Sequence, residues 1–160
     1  MNAKQPSYDV IDLRILTALQ RDGSLSQRDL AEQIGLSQNA CWRRLQNLQT
    51  AGVLKGMQAR VDLDLLGLDL TIFVMIRTRQ HSREWAELFA RHVQSLPEVM
   101  DVHRIGGEWD YMLRVVTAGM GGYDRFYQKL INGFTFEKVT GLFSMEKILE
   151  NRPVDLNRLL

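Results

Sequence analysis

The sequence predicts an α+β chain in two parts: an N-terminal winged helix-turn-helix over residues 1–62 and a C-terminal ferredoxin-like βαββαβ domain over residues 63–160. Three observations predict it. Helical hydrophobic periodicity, interrupted at Asp22-Gly23, Gly35 and Gly52, marks three short helices at the start. The rest alternates strand, helix, strand, strand, helix, strand. Finally, the 29 residues from Gln33 to Val61 contain no Asp or Glu, yet hold Arg43, Arg44, Lys55 and Arg60. A locally basic segment on a chain of net charge +1 fits an anionic partner.

Asp9 is placed to cap the first helix, with Asp12 in the positive first turn. Ile11, Ile15, Leu16 and Leu19 share one face of it, and Asp22-Gly23 ends it. Ser26 caps the second helix, which buries Leu30, Ala31 and Ile34 and breaks at Gly35. Ser37 caps the third, which runs to about Ala51 and stops at Gly52.

The third helix carries the chemistry. At about 100° per residue, Cys41, Leu45 and Leu48 fall on one face and Asn39, Arg43, Gln46 and Thr50 on the opposite one, with Gln38 and Trp42 on a flank. The outward face is all hydrogen-bonding groups without a carboxylate. Major-groove reading needs such a face, since Arg grips guanine bidentately and Asn or Gln grips adenine, while carboxylates repel the flanking phosphates. Arg44 lies nearer the buried side, as a base contact, a phosphate contact or a structural ion pair. Trp42 either touches DNA or packs on a neighbouring helix. Cys41 shares the Leu45 face and reads as a small core residue. Val53–Val61 suits a short strand or wing in which Lys55 and Arg60 meet phosphates.

In the second half, Leu68–Thr78 has strand character. Ser82 caps a helix with Trp85, Leu88, Phe89, Val93 and Leu96 at helical spacing, ended by Pro97. Val99–Ile105 and Trp109–Thr117 are strands joined through Gly106-Gly107. Gly121-Gly122 precedes a helix with Tyr123, Phe126, Tyr127, Leu130 and Ile131 on its apolar side, and Val139–Leu149 is the last strand. Helices cover one face of such a sheet. The other face, expected to show Phe73, Met75, Tyr111 and Leu113 in that register or its neighbour, needs a cover, and a second copy is the natural one.

Several classes are set aside. Hydrophobic residues are 45% and charged residues 24%, which excludes a disordered tail. No apolar run approaches the roughly 18 residues of a membrane span. Met1–Ser7 lacks an apolar signal core, and the single cysteine allows no internal disulfide, so a cytoplasmic protein is expected. No Cys/His cluster suggests a metal. His81, His92 and His103 are scattered and form no acid–base constellation, so neither catalytic residue nor cofactor is expected.

The residues quoted so far resemble the Lrp/AsnC, or feast/famine, regulators across nearly the whole chain. The matching pieces begin with Asp9-Val10-Ile11-Asp12, Ile15-Leu16, Leu30 to Ser37 and Arg43-Arg44-Leu45. They continue through Ala51 to Gly56, Leu66-Gly67, Leu96-Pro97-Glu98-Val99 and Gly106-Gly107-Glu108-Trp109-Asp110-Tyr111. Each piece is weak alone; the ordered set is strong. The resemblance implies transcriptional regulators that bind double-stranded DNA, assemble as homodimers that often gather into octamers, and in many cases respond to amino acids. It assigns DNA contact to the helix Ser37–Gln49, and so to Gln38, Asn39, Trp42, Arg43, Arg44 and Gln46.

The resemblance also makes Gly106, Gly107, Glu108, Trp109 and Asp110 an effector loop lining an amino-acid pocket between dimers. Backbone N–H groups flanked by glycine can hold a carboxylate, and Asp110 can pair with an α-ammonium. Without the resemblance this loop reads as a hairpin turn with a solvated acid. Relatives often carry a hydroxyl residue where this chain has Gly141 or Leu142, and Thr140 is the local substitute. His81 to Trp85 and Ala40-Cys41-Trp42 look most like a branch associated with cysteine sensing. Two other readings stand beside this one: an architectural DNA-organising protein, and a ferredoxin-like α+β barrel enzyme.

Overall fold

A computed structural model describes residues 8–159; Met1–Ser7, the stretch without an apolar signal core, lies outside the described residues. The chain forms two compact units. One contains the residues up to Arg60 together with those from Leu149 onward, and the other is Val61–Ile148.

The first unit holds α1 (Val10–Arg21), α2 (Gln27–Ile34) and α3 (Gln38–Thr50). The cap of α1 is reciprocal. Asp9 accepts the backbone N–H groups of Ile11 and Asp12, and Asp12 accepts that of Asp9, which satisfies three donors that otherwise have no partner. Ser26 and Ser37 cap α2 and α3 one way, their hydroxyls accepting the N–H groups of Asp29 and Ala40. Gly35 closes α2 in the left-handed region at φ 77°, where a side chain is strained, and so sets the tight turn into α3. Ile15, Ala18, Leu19, Leu30, Ala31, Ile34, Cys41, Leu45 and Leu48 form one core. Each fully buried aliphatic side chain in it contributes about 1.5–3 kcal/mol.

Two expectations fail in this unit. Val53–Val61 forms no strand. The N–H groups of Val53 and Leu54 both turn back onto the Leu48 carbonyl, Gly56 sits at φ 141°, and no strand of this unit among the described residues is there to pair with. The tail also belongs here, not to the 63–160 domain. The Gln20 side chain brackets Val154, donating to its carbonyl at 3.3 Å and accepting its N–H at 2.8 Å. A short 3₁₀ turn, Leu156–Leu159, follows.

The second unit runs β1 (Leu70–Arg77), α4 (Arg83–Gln94), β2 (Val99–Arg104), β3 (Tyr111–Thr117), α5 (Gly119–Ile131), β4 (Lys138–Phe143). The strands form one antiparallel sheet in the order β2-β3-β1-β4, the arrangement of a ferredoxin-like βαββαβ unit. Both helices pack on one face, burying Ile72, Val74, Ile76, Leu113 and Val115 against Trp85, Phe89, Val93, Phe126 and Leu130. Tyr111 belongs to this side too, with its ring 4.9 Å from Phe89.

The open face therefore differs from expectation. Phe73 and Met75 do lie on it, but Tyr111 and Leu113 do not; the alternate residues Met112 and Arg114 take their place. Phe73 is paired with Arg114 and Leu142, and Met75 with Met112 and Thr140. A one-residue change of register swaps every side chain between faces. The last strand is shorter than expected because its partner ends. Ser144 donates to Thr71 near the start of β1, and beyond it Met145 is fully exposed. Helix α5 starts two residues before Gly121-Gly122. Gly122 lies inside it, where a Cβ would sit 3.0 Å from that of Thr117, so glycine is present for close packing and not as a breaker.

Candidate nucleic-acid interface and effector cleft

Helix α3 turns two chemistries in opposite directions. Cys41 is wholly buried, with Leu45 and Leu48 beside it. Burial pushes the Cys41 thiol up from its ordinary pKa. Gln38, Asn39, Trp42, Arg43 and Gln46 are all exposed, and Trp42 keeps 50% of its surface open. The Ser37 hydroxyl is occupied as the cap, 3.3 Å from the Ala40 nitrogen. Gln46 donates to Gln49 at 3.2 Å along the same surface.

Arg44 is placed otherwise. Its Nη1 donates to both carboxylate oxygens of Asp9, at 3.0 and 2.8 Å, and to Asp12 at 2.8 Å. Lys55 and Arg60 are exposed, but they line a separate cleft of about 830 Å3 in the same unit. It is bounded by Leu16, Leu19, Met57, Val154 and Leu156. Arg60 Nη2 lies 3.5 Å from the carbonyls of Gln20 and Asn151.

The Gly106–Asp110 loop sits where the β2–β3 hairpin meets the end of β1. The Ile105 N–H donates to the Asp110 carbonyl, and the Asp110 N–H to that of Ile76, each at 2.9 Å. The Asp110 carboxylate accepts the Thr78 N–H at 2.8 Å, and its other oxygen lies 3.9 Å from His81 Nδ1. Gly107, Glu108 and Asp110 line a cleft of about 480 Å3 with Arg77, Arg79, His81 and Glu137. Glu137 bridges Arg77 and Arg79, at 3.4 and 3.7 Å. Trp109 packs beneath the Lys138 ammonium, 5.0 Å from its ring centroid.

Gly106 and Thr140 do not line this cleft; Thr140 faces the open side of the sheet opposite Met75. A side chain at Gly141 would require Tyr123 to move, because a Cβ there would lie 2.5 Å from the Tyr123 hydroxyl oxygen. Sequence reasoning missed Arg77, Arg79 and Glu137 as cleft residues. The available signal was a strand ending in alternating cations, but only the β1–β4 pairing brings Glu137 beside them. Among the described residues no group of His, Cys, Asp or Glu could hold a metal ion, and no helix is long and apolar enough to cross a membrane.

Comparison with known proteins separates the helical region from the sheet region, with the profile of the sheet region running on into the tail. A family profile described as the Lrp/AsnC ligand binding domain matches residues 71–154, and one described as winged helix-turn-helix DNA-binding matches residues 8–55. The "DNA-binding transcriptional activator DecR" of Escherichia coli K12 is 43% identical over 88% of this chain and 93% of its own length. The "Glutamate uptake regulatory protein" of Zymomonas mobilis is 39% identical over 88% and 85%. A crystal structure of an AsnC family transcriptional regulator from Agrobacterium tumefaciens superposes with a TM-score of 0.90 at 38% identity, covering 96% of this chain and all of that one. A Neisseria meningitidis transcriptional regulator in complex with L-Met gives 0.89 at 28% identity, with the same coverage.

One pH dependence follows from the capping geometry. The Asp12 backbone N–H, foremost, together with the Arg44 guanidinium and the Ile11 N–H, holds the Asp9 carboxyl below its ordinary 3.8. A carboxyl depressed by folding adds stability above its unfolded value, and that contribution fades as pH falls through the depressed value. Asp9→Asn keeps a capping side chain but loses the charge. Its stability deficit relative to the parent, read by urea denaturation, is therefore expected to be full near neutral pH and to close below about pH 4. A deficit that widens on acidification contradicts this.

Proposed function

Because this chain belongs to the Lrp/AsnC family of transcriptional regulators, we propose that it reads specific DNA sites through α3 and tunes its occupancy or assembly with a small amino acid. The observation that carries the reading is the outward surface of α3: Gln38, Asn39, Trp42, Arg43 and Gln46, exposed together with no carboxylate in the surrounding 29 residues. Two copies would present two such helices to a roughly two-fold symmetric operator. The open sheet face, with Phe73, Met75 and Met112 half-buried, supports a homodimer. Octamers are the further step that the family resemblance suggests.

The cleft at Gly107–Asp110 suits a zwitterion. Arg77 and Arg79 offer charge to a carboxylate, and Glu108, Asp110 and Glu137 offer it to an ammonium. Cysteine is the first amino acid to test, on the resemblance of Ala40-Cys41-Trp42 and His81–Trp85 to cysteine-sensing relatives. The ligand shifts occupancy only if it binds two states unequally. The role is regulatory and not catalytic.

Three measurements check the reading. Arg43→Ala is expected to weaken operator binding about tenfold or more with the fold intact, in a gel-shift titration; unchanged affinity and selectivity would remove α3 as the reader. Asp110→Ala is expected to abolish amino-acid binding in calorimetry while DNA binding persists; normal binding would sink the cleft assignment. Met112→Glu is expected to convert the dimer to a monomer in sedimentation experiments, and a persistent dimer would place the interface elsewhere.

A further inference from the structure

Of the two arginines in α3, Arg43 is exposed, while Arg44 is partly covered and held by two carboxylates. By helical geometry Arg44 stands only about 60° and about 40° around the axis from Cys41 and Leu48, at the border of the buried stripe. Its partners are themselves fixed. Asp12 spends one oxygen on Arg44 and the other on the Asp9 N–H. Asp9 uses Oδ1 to accept the Ile11 and Asp12 N–H groups as well as Arg44. The guanidinium thus plugs into the N-cap of α1, a rigid acceptor set.

We propose that Arg44 is the positioning residue of the DNA interface: it fixes the roll of α3 against α1 and does not touch nucleic acid. This rests on the DNA-reading function proposed above. Apolar packing by Cys41, Leu45 and Leu48 is non-directional and permits a small roll of α3, whereas charge-assisted hydrogen bonds are directional. With side chains reaching about 5–6 Å from the helix axis, a roll of about 20° moves the outward tips by about 2 Å. That exceeds what a bidentate base contact tolerates. A swing of Arg44 onto a phosphate would also leave Asp12, whose side chain is only 14% exposed, without its counter-charge beside a polyanion.

The test uses the full-length chain and the tightest duplex it recovers from a random-sequence library, titrated over a range of salt against that duplex and against random DNA. Arg44→Met and Asp12→Asn are each expected to weaken binding to the selected duplex on the order of tenfold. Affinity for random DNA and the salt slope are expected to stay unchanged, since no phosphate contact is lost. A merely destabilised fold would lower both affinities together.

Asp12→Asn discriminates by sign: it removes a negative charge and one of the two carboxylates that hold Arg44, leaving Asp9, so an arginine that grips phosphate would bind more tightly in this variant. Unchanged or tighter binding by Asp12→Asn overturns the proposal. So does a salt slope shallower by about 0.9 in Arg44→Met, or a loss of random-DNA affinity that matches the loss on the selected duplex. If Arg44→Met does not fold, Asp12→Asn carries the comparison, because asparagine still offers an oxygen to the Asp9 N–H. A parent chain that prefers no duplex over random DNA overturns the DNA-reading function and this proposal together; a parent that does prefer one, with Arg44→Met binding as tightly, overturns the proposal alone.

Discussion

The first unit depends on α3 being unable to turn over. Cys41, Leu45 and Leu48 must leave water, and among the described residues the apolar surface they meet is made chiefly by α1 and α2, with Leu25, Leu36, Val53 and Leu54 at its edge. Once that stripe is buried, Asn39, Arg43 and Gln46 are committed to solvent. The polar surface and the core are thus one fact seen from two sides. The short helices need this mutual cover, since isolated helices of 8–13 residues are marginal in water. Caps at each N-terminus and the left-handed turn at Gly35 then hold their entry angles.

The second unit obeys a parallel rule with period two. Strand β1 sends Ile72, Val74 and Ile76 to the helices and Phe73 and Met75 the other way. The edge loops meet where the pairing of β1 with β3 and β4 brings Asp110 and Glu137 to the same end. A cation-rich strand end and two acids from distant positions then enclose one cleft. Helix α3 and the cleft belong to different units, so any coupling between them is measured as a free-energy linkage.

Much of this was legible in the sequence. The three caps, the glycine turn and the two faces of α3 follow from local rules, because helical periodicity and capping involve residues no more than four apart. The order βαββαβ is readable for the same reason. What escaped was non-local. The face of Tyr111 depended on strand register, where one residue reverses the answer. The missing strand at Val53–Val61 depended on that unit having no partner strand among the described residues. Arg44 was readable as three alternatives; only the fold brings it to Asp9 and Asp12, more than thirty positions earlier. Arg77, Arg79 and Glu137 needed the β1–β4 pairing to come together.

The return of the tail to the first unit makes that unit discontinuous along the chain. Gln20 waits for Val154, 134 positions later, to fill both ends of its amide. The helices of this unit come first along the chain, yet their packing is completed by residues from Leu149 onward, on the far side of the whole second unit. Leu16 and Leu19 share a cleft with Val154 and Leu156, so completing this unit means closing a loop through the whole of the other one, an entropic cost that short-range helix packing does not carry.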